Sequence, residues 1–244
     1  MLSKNRIKFI KSLQNKKFRD REGFFVVEGE KAVRELLKEG RGKLVELYLL
    51  DGTEWELDDL KGIAVHFIST SDLERISGLR TPNKALAICR IWVDEYQDVE
   101  FSLALDGIQD PGNLGTILRL ADWYGVNQVI CSEDTVDRFN SKVVQATMGS
   151  LFRVSLVYTD LSALFETNDK RVYGTLLEGK SVYQSNLKAS GFLLLGNEGQ
   201  GIRPELQSYI HEAIHIPGKG GAESLNVAVA TGIFLSEFLR GTFQ

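Results

Sequence analysis

Residues 195–202, Leu-Gly-Asn-Glu-Gly-Gln-Gly-Ile, and residues 216–233, Ile-Pro-Gly-Lys-Gly-Gly-Ala-Glu-Ser-Leu-Asn-Val-Ala-Val-Ala-Thr-Gly-Ile, decide how this chain folds. Each reads as a strand end opening into a glycine-rich loop, and the second loop enters a helix through Ser224 and Asn226. Glycines there remove the Cβ atoms that would hold a ligand away from the backbone. A third segment lies upstream at 105–119, Leu-Asp-Gly-Ile-Gln-Asp-Pro-Gly-Asn-Leu-Gly-Thr-Ile-Leu-Arg.

Working outward, short apolar runs at 101–105, 128–131, 152–157, 171–177, 192–195 and 213–216 alternate with helical stretches at 113–124, 141–147, 160–167, 203–208 and 224–239. Near-continuous apolar strands with intervening helices predict a parallel sheet covered on both faces. Ligands of such sheets bind at the carboxyl ends of the strands, where all three segments fall. The first 90 or so residues form a separate α/β pattern. A basic amphipathic helix over 3–16 turns Ile7, Ile10 and Leu13 inward, strands are predicted at 24–27, 44–50, 64–68 and 85–92, and helices at 29–38 and 69–76. The acidic stretch around 94–100 has no apolar periodicity. The expected organisation is an N-terminal domain over 1–94, a linker over 95–100 and a C-terminal domain over 101–244.

With 43% hydrophobic and 25% charged residues, the 244-residue chain has the composition of a folded globular protein rather than a disordered one. No apolar run reaches the roughly 18–20 residues of a membrane span, so a cytoplasmic protein is expected. Cys89 and Cys131 lack metal-ligand spacing and read as buried thiols. The net charge of −4 hides a strong asymmetry. Residues 1–21 carry eight basic side chains against Asp20 alone, whereas the remainder holds 21 basic and 32 acidic residues. Such a patch is either a footprint for phosphate or a solvated helix face.

Conventional chemistries fit poorly. Residues 196–201 have the pattern GxxGxG rather than GxGxxG and follow a late strand, and Gly218-Lys219-Gly220-Gly221 lacks the following Ser or Thr of a P-loop. Neither dinucleotide nor ATP binding is supported. His66, His211 and His215 have no metal-like pairing, so no metal is expected, and no GxSxG elbow occurs. Asp106 and Asp110 could be paired carboxylates, but a loop Asp before Pro-Gly is more often a turn former or helix cap.

The ordered combination is more specific. Asn113-x-Gly115-x-x-x-Arg119, then Gly196-x-Glu198-Gly199-x-Gly201, then Ile216-Pro217 followed by Ser224-Leu225-Asn226-Val227 resemble the SpoU (TrmH-like) family of RNA ribose 2′-O-methyltransferases, within the SPOUT superfamily of trefoil-knotted enzymes. Residues 4–35, with Arg19 and Phe25-Val26-Val27-Glu28-Gly29, resemble that family's N-terminal RNA-binding domain, which is similar to small RNA-binding ribosomal proteins. Residues 142–144 and 149–153 resemble its connecting segment.

The resemblance implies a C-terminal α/β-knot domain binding S-adenosylmethionine through Thr175, Leu195, Gly196, Asn197, Gly201, Ile216, Leu225 and Asn226. It implies catalysis by Arg119, Asn113, Glu198, Ser224 and Asn226. Because an arginine stays protonated, Arg119 is expected to stabilise the developing alkoxide and orient the adjacent phosphate rather than act as a free base. Glu198 pairs with Arg119 or with a loop amide, and Ser224 caps the last helix or meets substrate. RNA contacts are expected from Lys8, Lys11, Lys16, Lys17, Arg19, Lys142 and Gln145, and a homodimer through the knotted domain is implied. Departures from the family pattern are Gly218 for Met, Ala228 for Ser, Ser141 for Pro and Gln145 for a basic residue. The expected activity is ribose methylation of structured RNA, ribosomal in preference to transfer RNA. The alternatives are an RNA-binding or assembly protein with little catalysis and a knotted enzyme that methylates a base nitrogen.

Overall fold

Apolar runs become strands only where partners on both sides can bury them, and the computed structural model, which describes residues 1–55, 60 and 62–242, sorts them into two sheets. By contact the chain forms two compact units, Met1–Val93 with Asp137–Arg153, and Asp94–Val136 with the chain from Val154 on.

In the first unit, α1 (Lys4–Ser12), α2 (Lys16–Glu22), β1 (Phe24–Glu28), α3 (Glu30–Glu39), β2 (Leu44–Leu50), β3 (Ala64–Ile68), α4 (Thr70–Ile76) and β4 (Ala85–Arg90) build a sheet of order β1-β4-β2-β3. Among the described residues its β2–β3 pair is parallel and its β1–β4 and β2–β4 pairs are antiparallel. Ile7, Ile10 and Leu13 point inward as their spacing predicts, packing with Val26, Tyr48, Leu86 and Ile88. Burial of each such side chain is worth about 1.5–3 kcal/mol. The helix expected over 3–16 stops at Ser12, and a second helix that the pattern did not predict starts at Lys16, where Asn15 caps α2 by accepting from the Lys17 amide. Carbonyls freed at the break, those of Leu13 and Gln14, accept from the Arg19 guanidinium at 3.0 and 2.9 Å.

Arg19 is therefore corrected from a surface RNA contact to a buried structural cation, 2% exposed, whose Nη2 also meets Asp137 at 2.6 Å. Asp137 begins an excursion between two strands of the other sheet. It runs through α6 (Ser141–Thr147) to Arg153 and completes the first unit. The Phe139 ring lies tilted 4.6 Å from that of Phe25 and edge-on 4.9 Å from that of Trp92, and Arg153 pairs with Glu35. Gln145, expected near phosphate, instead donates to the Glu28 carbonyl at 2.7 Å.

The second unit holds β5 (Phe101–Leu105), α5 (Pro111–Tyr124), β6 (Gln128–Cys131), β7 (Ser155–Tyr158), α7 (Leu161–Glu166), β8 (Val172–Ser181), β9 (Gly191–Leu195), α8 (Pro204–Gln207), β10 (Glu212–His215) and α9 (Val227–Leu239). All its paired strands are parallel, in the order β10-β8-β9-β5-β6-β7. β5, β6 and β9 are buried along their whole length, as strands covered on both faces must be. The strand expected at 152–157 starts later because Ser150–Phe152 closes as a 3-10 turn. α5 starts earlier than expected, at Pro111, capped by Asp110. The stretch at 94–100 has no helix or strand but is tied down: the Leu156 amide donates to Asp94, and Gln97 exchanges hydrogen bonds with Gln128.

Replacing Arg19 by Met should destabilise the protein by roughly 3–5 kcal/mol, since it strands Asp137 and two carbonyls. Removing the exposed Lys16–Asp20 pair should cost under about 0.5 kcal/mol. Urea unfolding of the two variants checks the contrast.

Candidate active site

The order of strands in the second unit reverses at β5, whose neighbours β6 and β9 come from opposite directions of chain travel. A parallel sheet opens a crevice at the carboxyl ends of its strands at such a point. Leu105 lies in register with Leu195, so the loops leaving β5 and β9 start side by side, and the Asp106 amide donates to the Leu195 carbonyl at 2.8 Å. Two of the three signature segments meet here for that reason.

The β9 loop is built to hold its own shape. A Cβ on Gly196 would lie 2.1 Å from the Gly201 carbonyl carbon, so only glycine fits. Asn197 and Gly201 exchange backbone hydrogen bonds at 2.9 and 3.0 Å. The Asn197 side chain accepts from the amides of Gly199 and Gln200 and donates to the Gly107 carbonyl at 2.6 Å. Asn197, expected to hold a ligand, is thus a brace between the two loops.

Glu198 projects from that brace toward the β5 loop. It accepts from Asn113 Nδ2 at 2.9 Å and from the amides of Asp110 and Gln109 at 3.3 and 3.4 Å. Partial burial alone would raise its pKa, but the hydrogen bonds from Asn113 and the loop amides outweigh this and hold it below the ordinary carboxylate value. Of its two expected partners, the loop amides are the ones it meets. Arg119 has no hydrogen bond or ion pair among the described residues and lies exposed on α5.

The third segment joins through Asn226. Its Nδ2 donates to Asn113 Oδ1 at 2.9 Å, while its Oδ1 accepts from the amides of Ala228 and Val229 at the start of α9. A carboxylate can only accept, so Glu198 forces Asn113 to present its amide nitrogen; the Asn113 oxygen then faces Asn226, whose own oxygen is left to cap α9. One directional relay, Glu198–Asn113–Asn226, therefore ties all three segments together. Capping falls to Asn226, not Ser224, which is exposed without a hydrogen-bond partner among the described residues.

Of the other residues expected near a cofactor, Leu195 is buried, Ile216 and Thr175 are half-buried, and Leu225 is 48% exposed. Thr175 stands in an irregularity the sequence did not signal. β10 pairs Ala213 with Gly174 but Ile214 with Lys180, so residues 175–179 leave the ladder. Gly179, at φ 152°, permits this, since a Cβ there would lie 2.5 Å from the Ala213 carbonyl oxygen.

Sequence reasoning also missed the pair beneath the loops. Asp106, fully buried, accepts from the Arg203 backbone amide at 2.8 Å and from its Nε at 2.6 Å. No spacing rule links residues so far apart. In the first unit, Lys8, Lys11 and Lys17 on its helices and Lys142 on the excursion are exposed without ion pairs among the described residues, and Lys16 is shared with Asp20. Among the described residues no group of three or more His, Cys, Asp or Glu could hold a metal ion.

Comparison with known proteins gives this arrangement a context. The SpoU rRNA Methylase family matches residues 100–236, and the MRM3-like substrate binding domain matches residues 4–87. The chain is 34% identical over 240 residues to the 23S rRNA (guanosine(2553)-2′-O)-methyltransferase RlmP of Bacillus subtilis strain 168, covering 97% of this chain and 96% of that one. It superposes on a TrmH-family protein from Porphyromonas gingivalis with a TM-score of 0.85, 39% identity and 99% of both chains covered. It also superposes on the AdoMet-bound rRNA methyltransferase from Sinorhizobium meliloti, with a TM-score of 0.87, 31% identity and 99% and 96% coverage.

The depressed Glu198 pKa carries a sign. Its charged form is favoured by folding, so its stabilisation is complete above the ordinary carboxylate value of 4.5 and is lost as pH falls below it. Glu198→Gln should therefore melt below the parent at neutral pH and converge on it in acid, a trend that thermal melts across pH 3–7 (an approximate window around that value) would register. Parallel curves at all pH values would contradict it.

Proposed function

We infer that this chain, which belongs to the SpoU rRNA methylase family, transfers a methyl group from S-adenosylmethionine to a ribose 2′-hydroxyl of ribosomal RNA. The observation that carries the reading is the Glu198–Asn113–Asn226 relay, which ties the three signature segments together and leaves Arg119, further along α5, unpaired among the described residues. The named Bacillus relative acts on a guanosine of 23S ribosomal RNA, and on that ground 23S RNA is the substrate assigned here.

The crevice suits the cofactor. Leu225 and Ile216 offer apolar surface for an adenine, and the acidic second unit suits a sulfonium. Residues to hold it are Thr175, Leu195, Gly196, Gly201, Ile216 and Leu225, with Asn226 fixing the start of α9 beneath. When bound, S-adenosylmethionine supplies a methyl group on positively charged sulfur. The 2′-hydroxyl is a poor nucleophile until charge develops on its oxygen, and a permanently charged guanidinium is the group here that can meet that charge. Arg119 stays protonated, stabilises the developing alkoxide and orients the adjacent phosphate, which takes the proton. Asn113 and Asn226 position the ribose, Glu198 positions Asn113, and Ser224, not engaged in capping, meets substrate.

The N-terminal domain, 1–94, grips structured RNA through phosphate, with Lys8, Lys11, Lys16 and Lys17 as its contacts and Lys142 of the excursion beside them in the same unit. In the 101–244 domain the segment carrying β10 and α9 passes through a loop to form the family's trefoil knot. The order β10-β8-β9, with 175–179 leaving the ladder, supports that path. Two copies associate through α5 and α9, which pack together and expose Trp123 (82%) and Val229 (54%) side chains that a partner would cover. A cytoplasmic location follows from the substrate.

Arg119→Ala should lower kcat about 10²–10³-fold while leaving S-adenosylmethionine affinity unchanged, measured by single-turnover transfer and calorimetry. Comparing 23S RNA from a deletion strain with its parent should reveal one lost alkali-resistant phosphodiester; an identical pattern would refute the reading. Trp123→Glu should shift the protein to monomer in sedimentation velocity.

A further inference from the structure

The second unit carries 18 acidic and eight basic side chains, so a polyanion is repelled from it except where its few cations are free. Five of the eight are engaged: Lys170 with Asp98, Arg171 and Lys180 with Glu212, Arg203 with Asp106 and Asp134, and Arg240 with Glu237. Among the described residues, Arg119, Lys188 and Lys219 have no carboxylate partner. Two of these three belong to the elements joined by the Asn113–Asn226 hydrogen bond. Arg119 lies on α5 beyond Asn113, and Lys219 lies in the loop that ends at Asn226.

The setting of Lys219 is unlike that of the other glycine loop. Gly196 is demanded by its own backbone, as described above. By contrast Gly218, Gly220 and Gly221, which flank Lys219, have ordinary φ, and a Cβ on any of them would meet nothing within 4 Å. Nothing in the described fold requires three glycines there. Residues 217–226 are exposed throughout. Glycine at such positions has a use when another backbone or a ligand comes close, because it removes side-chain bulk and leaves the chain free to adjust.

We propose that Lys219 and its flanking glycines form a phosphate-binding loop for the RNA strand that carries the target ribose. The lysine ammonium meets a backbone phosphate as a point charge, and the glycines let the RNA backbone lie against the loop. Lys219 is a substrate-binding residue and takes no part in the chemistry. This rests on the RNA methyltransferase reading above, and its test is separable from that reading because it is made on binding rather than turnover.

The probe is unmodified 23S ribosomal RNA transcribed in vitro, with S-adenosylhomocysteine present to prevent transfer and retention on filters measured over a series of KCl concentrations. Lys219→Gln should weaken binding several-fold at low salt and flatten the slope of log affinity against log salt by about 0.7, the loss of one phosphate contact to a single strand. Lys219→Arg should restore the slope. Gly220→Ala with Gly221→Ala should weaken RNA binding with no fall in melting temperature. In turnover, Lys219→Gln should raise KM for RNA and leave kcat unchanged. An unchanged salt slope would overturn the proposal. So would a weakened affinity for S-adenosylmethionine with RNA binding intact, which would assign Lys219 to the cofactor's carboxylate. A lowered melting temperature of the alanine pair would assign the glycines to the fold and overturn their part. Failure of the parent protein to methylate 23S RNA, with its salt slope intact, would refute the activity and leave the Lys219 comparison standing.

Discussion

The pairing of β5 with β9 is the constraint on which the site depends. These strands lie about 90 residues apart in sequence, yet Phe101 to Leu105 run in exact register with Gly191 to Leu195. Gly191 lets β9 lie between β5 and β8: its amide donates to the Glu100 carbonyl at 2.7 Å, while a Cβ there would stand 2.1 Å from the Arg171 carbonyl oxygen just before β8, and its φ of 89° suits glycine alone. Once the strands lie together, the loops that follow start side by side. The brace from Asn197 to Gly107 and the bonds from the β5 loop to Glu198 are consequences of that register.

Hydrogen-bond direction then does what packing cannot. Three exposed or half-exposed polar side chains would gain little individually from their contacts, since each bond exchanges with water. Because a carboxylate lies at one end and a helix N-terminus at the other, only one orientation of both amides satisfies every donor and acceptor. The loops are thereby held in one relative position without a hydrophobic core of their own, and the surface stays open to solvent and ligand. Charge is divided to match. The first unit has 21 basic and 15 acidic residues, the second eight and 18, so positive charge is concentrated in the first unit.

Elements with a clear period were legible. Ile7, Ile10 and Leu13 repeat at helical spacing and are buried, and the apolar runs at 101–105 and 128–131 are strands within the stated limits. Legibility failed where a partner distant in sequence decided a local outcome. The break between α1 and α2 depends on Arg19 reaching two carbonyls and on Asp137, 118 residues away. A basic residue in a basic run carries no mark of burial, so Arg19 read as surface charge. Gln145 likewise donates to a carbonyl of β1 that no spacing rule connects to it. β8 runs beyond its expected end because Gly179 lets residues 175–179 bulge before the ladder with β10 resumes.

By itself the sequence determined the class of the fold, the residues of the three signature segments and the asymmetry of charge, because these reside in residue type, order and short-range period. Tertiary structure alone decided which polar groups remained unengaged. Glu198, Asn113 and Asn226 bond one another, Asn197 bonds its own loop and Gly107, and Arg203 bonds Asp106, whereas Arg119, Ser224 and Lys219 have no such partner among the described residues. A side chain's availability depends on neighbours that strand register brings together across tens of residues, and no local pattern encodes that register.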